Sequence, residues 1–135
     1  MGIPKERLEN VCITALEGGS NYWYYLSDGA RKLIRSVVPK DKNPYISSAI
    51  LEAALEHGVR IPIHDVEDYQ EAEDGEEETE PIGWLDRDTI KERLQKLYDD
   101  TGYRWALENE LNEEGDATSS DVVFQYMVLG EVVYG

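Results

Sequence analysis

The sequence is poor in the residues that perform covalent and metal chemistry. Cys12 is the single cysteine among 135 residues, so no disulfide can close within the chain, and a lone thiol suits a reducing compartment. His57 and His64 are the only histidines. There is no His-Glu-x-x-His, no paired Cys-x-x-Cys, no phosphate-binding glycine loop and no nucleophile elbow. No apolar run approaches the roughly 20 residues that span a bilayer. The opening Met-Gly-Ile-Pro-Lys-Glu-Arg is charged and lacks an apolar stretch, so neither a membrane association nor a secretory signal is expected. These absences favour a cytoplasmic, non-enzymatic protein over an enzyme, with His64 the one candidate base, and predict neither cofactor nor metal.

Positive charge is missing from half of the chain. Residues 1–64 hold 8 Lys and Arg against 7 Asp and Glu, whereas residues 65–135 hold 5 against 22. The total is −16, and nearly all of it falls in the second half. Such a field repels duplex nucleic acid and anionic membrane and attracts basic partners. The segment 65–80 contributes 10 acids and no Lys or Arg. It has too little apolar surface to bury and is expected to be a mobile, solvated loop. The length suits one domain over 1–135, with enough apolar residues for a core.

What is there in quantity is helical periodicity. Leu8, Val11, Cys12, Ala15 and Leu16 follow an i, i+3, i+4, i+7, i+8 pattern between Pro4 and the Gly18-Gly19 stop. Ala30, Leu33, Ile34, Val37 and Val38 repeat it, capped by Ser27 or Asp28 and ended by Pro39. Ile46, Ala49, Ile50, Ala53 and Ala54 give a third copy, with Asn43 as N-cap and Gly58 after the end. Val59 to His64 alternates with period two and reads as a strand, and Pro62 places it at a sheet edge. Residues 81–85 supply its partner. Asp86 caps a fourth helix through Ile90, Leu94 and Leu97, and Tyr103 to Leu111 forms a fifth. Val122 to Tyr134 is apolar nearly all round. Its valines suit a strand, but its length and the preceding Thr118, Ser119 and Ser120 predict a buried helix to about Gly130. The expected fold is α+β and predominantly helical, with five to six helices and a two-stranded antiparallel ribbon.

A few constellations invite a chemical reading. In Gly18-Gly19-Ser20-Asn21-Tyr22-Trp23-Tyr24-Tyr25, two glycines free the backbone and four aromatics follow without a break. Asn21, Tyr22, Trp23 and Tyr24, with Arg35 supplying charge, would hold a planar ring and a phosphate as in a nucleotide-like ligand. The plainer reading, and the favoured one, is a helix stop followed by aromatics that fill the core and its rim. Arg31, Lys32, Arg35, Lys40 and Lys42 form a basic cluster, too thin a footprint for duplex DNA and well explained as a solvated helix face. Glu110, Asn112, Glu114, Gly115, Thr118 and Asp121 approach calcium-loop spacing, but Asp and Glu are exchanged at the ends. A capping box between Thr118 and Asp121 accounts for part of the same residues. His64-Asp65 resembles an oriented base without partners, and Cys12 lies on an apolar face, where a thiol is inert.

Two motifs, Gly-Gly-Ser-Asn-Tyr-Trp near the start and Val-Leu-Gly-Glu-Val-Val-Tyr-Gly at the end, resemble small acidic proteins encoded by phages and prophages. The resemblance implies a context, an accessory factor that blocks or sequesters a host component in the host cytoplasm, and carries over no catalytic residue. Together with the charge it predicts a non-enzymatic interaction protein. Its acids Glu67, Asp68, Glu71, Asp74, Glu76, Glu77, Glu78 and Glu80 would dock on a basic, nucleic-acid-binding surface of a partner protein. A nucleotide-binding or sequestering role through the Gly-Gly-aromatic segment is the alternative. Homo-oligomer formation stays open.

Overall fold

A computed structural model of the protein describes residues 2–68 and 80–135. Among them are six α-helices and a small antiparallel sheet, so the architecture is α+β and mostly helical. The order is α1 (Lys5–Thr14), β1 (Tyr24–Tyr25), α2 (Asp28–Val37), α3 (Ile46–Leu55), β2 (Ile61–Asp65), β3 (Gly83–Leu85), α4 (Arg87–Asp99), α5 (Arg104–Leu111) and α6 (Ala117–Leu129).

The amphipathic templates become the buried stripes of α1, α2 and α3. Ser27 caps α2, its Oγ accepting from the Ala30 N–H at 3.1 Å, and Asp86 caps α4 by accepting from the Asp88 N–H at 2.8 Å. Asn43 does not sit at the start of α3, whose N-cap is Tyr45. Its side-chain oxygen instead accepts from the Tyr45 N–H at 3.2 Å, a local turn that precedes the helix. At its end α1 widens into a single π turn, Ala15–Gly19, where the Ser20 N–H reaches back to the Ala15 carbonyl at 2.8 Å. A Cβ at Gly19 would lie 2.9 Å from the Ala117 carbonyl oxygen, so a glycine there lets this turn press against the first residue of α6.

The sheet has three strands rather than the expected two, in the order β1-β2-β3. Tyr24 and Tyr25 pair with Asp65 and His64, and Ile61, Pro62 and Ile63 pair with Leu85, Trp84 and Gly83. A two-residue strand inside a run of aromatics shows no alternation, which is why its sequence does not betray it. Pro62 therefore stands in the central strand, but on the part of it that β1 does not reach. Its missing N–H leaves no gap in that ladder. Asp65 belongs to β2, and Val66–Asp68 form a 3-10 turn. The first four residues of the expected loop 65–80 are thus in regular structure, and residues 69–79 lie outside the described residues.

Helix α6 is the centre of the molecule. It packs against α1, α4, α5 and β3, and every residue from Ser119 to Val128 is buried. Burying side chains such as Phe124 and Met127 removes them from water at a gain of roughly 1.5–3 kcal/mol each. The helix begins with a capping box between Asp116 and Ser119, not between Thr118 and Asp121. It stops at Gly130, whose φ of 80° is the left-handed conformation that glycine adopts without strain. Arg93 of α4 donates to the carbonyls of Met127 and Val128 at 2.9 and 2.6 Å, a cation placed on the negative end of α6. Among the described residues no helix is long and apolar enough to cross a membrane.

Candidate functional site

The two end motifs meet on α6. Asp121 is 8% exposed, and its carboxylate collects donors from the N-terminal motif. Ser20 Oγ and Trp23 Nε1 donate to Oδ1 at 2.7 and 2.8 Å, and the Tyr22 hydroxyl donates to Oδ2 at 2.5 Å. One turn along, Gln125 Nε2 donates to the same Oδ2 at 3.2 Å. Gln125 also grips the C-terminal motif as a peptide group would. Its Oε1 accepts from the N–H groups of Val133 and Tyr134 at 2.9 and 3.0 Å, while Nε2 donates to the Tyr134 carbonyl at 2.9 Å. The Trp23 ring then stacks on the Tyr134 ring, with centroids 5.2 Å apart and planes 7° from parallel. The Tyr134 hydroxyl donates to Asp65 Oδ2 at 3.3 Å.

A second buried carboxylate lies near the start of the same helix. Glu110 of α5 accepts from the hydroxyls of Ser119 and Ser120 at 2.8 and 2.7 Å. Neither Glu110 nor Asp121 pairs with a cation among the described residues. Their donors are neutral: hydroxyls, an indole and an amide at Asp121, and two hydroxyls at Glu110 Oε1. That arrangement organises a core polar network. It brings no nucleophile against a base, and the calcium-like spacing of 110–121 is divided between two centres. Among the described residues no group of three His, Cys, Asp or Glu side chains is placed to hold a metal ion.

The aromatic segment is used from within. Trp23 and Tyr24 are buried, and their rings pack on Phe124 with centroids 5.7 and 5.8 Å away. The Tyr24 hydroxyl donates to the Leu16 carbonyl at 2.8 Å, and burial pushes its phenol up to about 12. Asn21 is exposed and Tyr22 is half exposed. Burial of its hydroxyl, then the Asp121 carboxylate, raise the Tyr22 phenol to about 12 as well. Arg35 takes no part in this cluster. Its guanidinium donates to the carbonyls of Val38, Asn43 and Pro44, closing the turn after α2. Cys12 is fully buried, and desolvation lifts its thiol to about 12, as befits a core residue. His64 is buried against the Tyr25 ring at 5.6 Å, and His57 is exposed beyond α3.

Of the expected partner-binding acids, Glu67 and Glu80 are exposed and Asp68 is partly buried. Glu71, Asp74, Glu76, Glu77 and Glu78 lie outside the described residues. A few acids lie near the C-terminal segment. Burial first, then Asp65, Glu67 and Asp68, raise the Tyr134 phenol. Burial first, then Asp100 and Glu131, do the same to Tyr126, whose hydroxyl bonds Asp100. Among the described residues the ion pairs are Lys5–Glu56, Arg7–Glu6, Arg7–Glu113 and Arg60–Asp86. None involves Asp65, Glu67, Asp68 or Glu80.

Asp121, Gln125 and Glu110 are the residues that sequence reasoning did not single out for this role. The only signal was the isolated polarity of Asp121 and Gln125, four apart in an otherwise apolar run, which marks one helix face. No family model, curated protein or solved structure matches this chain.

Proposed function

We propose that this chain is a non-enzymatic acidic interaction protein that binds a basic, nucleic-acid-binding surface of a partner protein and blocks it. The observation that carries the reading is the uncompensated charge. Asp65, Glu67, Asp68 and Glu80, the described acids of the segment 65–80, form no ion pair to a described lysine or arginine, and the segment itself contains no Lys or Arg. Neighbouring carboxylates without a cation partner repel, and a cationic groove relieves that repulsion while releasing its own counterions. The resemblance to phage-encoded acidic proteins fits a partner in a host cytoplasm. The nucleotide-binding alternative has less support, because Trp23 and Tyr24 are spent on the core and Arg35 on backbone carbonyls.

The test is a pull-down from a bacterial host lysate with the wild-type chain. The control carries Glu67, Glu71, Glu76, Glu77, Glu78 and Glu80 changed to Gln, and Asp68 and Asp74 changed to Asn. The expected partner is retained by the wild type alone and displaced by duplex DNA. It should lose about ten-fold or more in affinity between roughly 50 and 200 mM salt. A partner held equally by the carboxamide variant, with no salt dependence, overturns the reading.

A further inference from the structure

Away from the acid-rich end, a cavity of about 610 Å³ opens between the start of α1, the end of α3 and the outer face of α4. Its size falls within the roughly 300–1,000 Å³ of small-molecule sites. The floor is apolar: Ile3, Leu8, Leu55, Ile90 and Leu94. The rim carries Lys5, Arg87 and Lys91, together with Asp88, Glu92 and Gln95. Lys5 is neutralised by Glu56. Arg87 Nη1 donates to the Leu55 carbonyl at 3.4 Å on the cavity edge, a neutral contact that leaves its charge, like that of Lys91, without a carboxylate partner among the described residues. Arg87 and Lys91 stand one turn apart on α4, both exposed. Like charges at i and i+4 repel across a helix surface. An anion seated between them removes that repulsion.

We propose that this cavity binds an amphipathic organic anion, with an apolar chain lying on Ile3, Leu8, Leu55, Ile90 and Leu94 and a carboxylate or similar head group held by Arg87 and Lys91. Apolar burial supplies most of the affinity, and the two cations fix the orientation. The global charge of −16 makes the inference sharp. A net field of that sign disfavours anions in general, so a saturable anion site demands a local cause.

The experiment is calorimetric titration of the full chain with dodecanoate, below its micelle-forming concentration, beside dodecanol and dodecyltrimethylammonium. One dodecanoate is expected to bind per chain, about ten-fold more tightly than either of the other two. Lys91→Glu should weaken dodecanoate about ten-fold by reversing one charge of the head-group pair, while Lys32→Glu, on the exposed face of α2, should change it less than about two-fold. Leu55→Trp, which fills the partly buried floor, should abolish binding with the far-ultraviolet spectrum unchanged. If Leu55→Trp does not fold, Lys91→Glu carries the test alone, since its side chain is in water. Non-saturable binding, equal binding of the three probes, or equal losses in the Lys91 and Lys32 variants overturn the proposal.

Discussion

The centre around Asp121 and the cleft beside α4 handle charge in opposite ways. At Asp121 a carboxylate is taken out of water and every donor it meets is neutral: two hydroxyls, an indole and an amide. At the cleft, Arg87 and Lys91 stay in water beside apolar walls without an ion pair among the described residues. A buried charge is tolerated only when its hydrogen bonds are complete, so the first region is committed to holding the fold. The second has unused capacity, which is what a binding surface needs. The largest prediction breaks the first region. Asp121→Ala strands the Ser20, Tyr22 and Trp23 donors and should cost about 3–5 kcal/mol in urea unfolding, with Asp121→Asn losing less because one oxygen remains. The matched change in the cleft, Lys91→Gln, should shift stability by less than about 0.5 kcal/mol. Equal costs at the two positions would erase the distinction.

A smaller effect is expected at the second buried carboxylate. A Cβ at Gly115 would come within 2.3 Å of Glu110 Oε2. The Glu110 side chain is held by Ser119 and Ser120, so it cannot swing aside without breaking both bonds and stripping the buried Ser120 hydroxyl of its carboxylate acceptor. Gly115→Ala should cost about 1–3 kcal/mol. Adding Glu110→Gln to Gly115→Ala tests whether the charge or the shape matters: a recovery by the double variant would assign the cost to the carboxylate.

The contrast also explains what could be read in advance. The stripes of α1, α2 and α3 and the caps of α2 and α4 were legible because periodicity and capping are local. Pro62, taken alone, pointed to an edge strand, and only the short reach of β1 reconciles it with a central one. Asp121 was misread for a general reason. An acid next to Thr118, Ser119 and Ser120 looks like part of a helix cap, and nothing local says that its partners are Ser20, Tyr22 and Trp23, about a hundred positions away. The cleft was illegible for the same reason, since its floor joins Ile3 from before α1, Leu55 from α3 and Leu94 from α4. The partner-binding acids could be counted in the sequence, but counting does not place them.

The smallest prediction uses pH to separate the Asp121 centre from the bulk of the molecule. Tyr22 must keep its proton to donate to Asp121. Its phenol rises from the usual 10.0 to about 12, through burial first and the neighbouring carboxylate second. A folded-state value above the unfolded one means that the contribution is complete below pH 10.0 and is lost as the pH climbs through about 12. Tyr24 titrates in the same window, so the wild type destabilises in alkali through more than one phenol. Tyr22→Phe removes only the phenol that touches Asp121. It should cost about 1 kcal/mol at neutral pH, and its deficit against the wild type should shrink as the pH passes 10.0 toward 12. Urea titrations of both proteins across that range read the gap directly. A gap that stays constant would mean that the Tyr22 proton is not what ties the N-terminal motif to α6, and that Ser20 and Trp23 hold it alone.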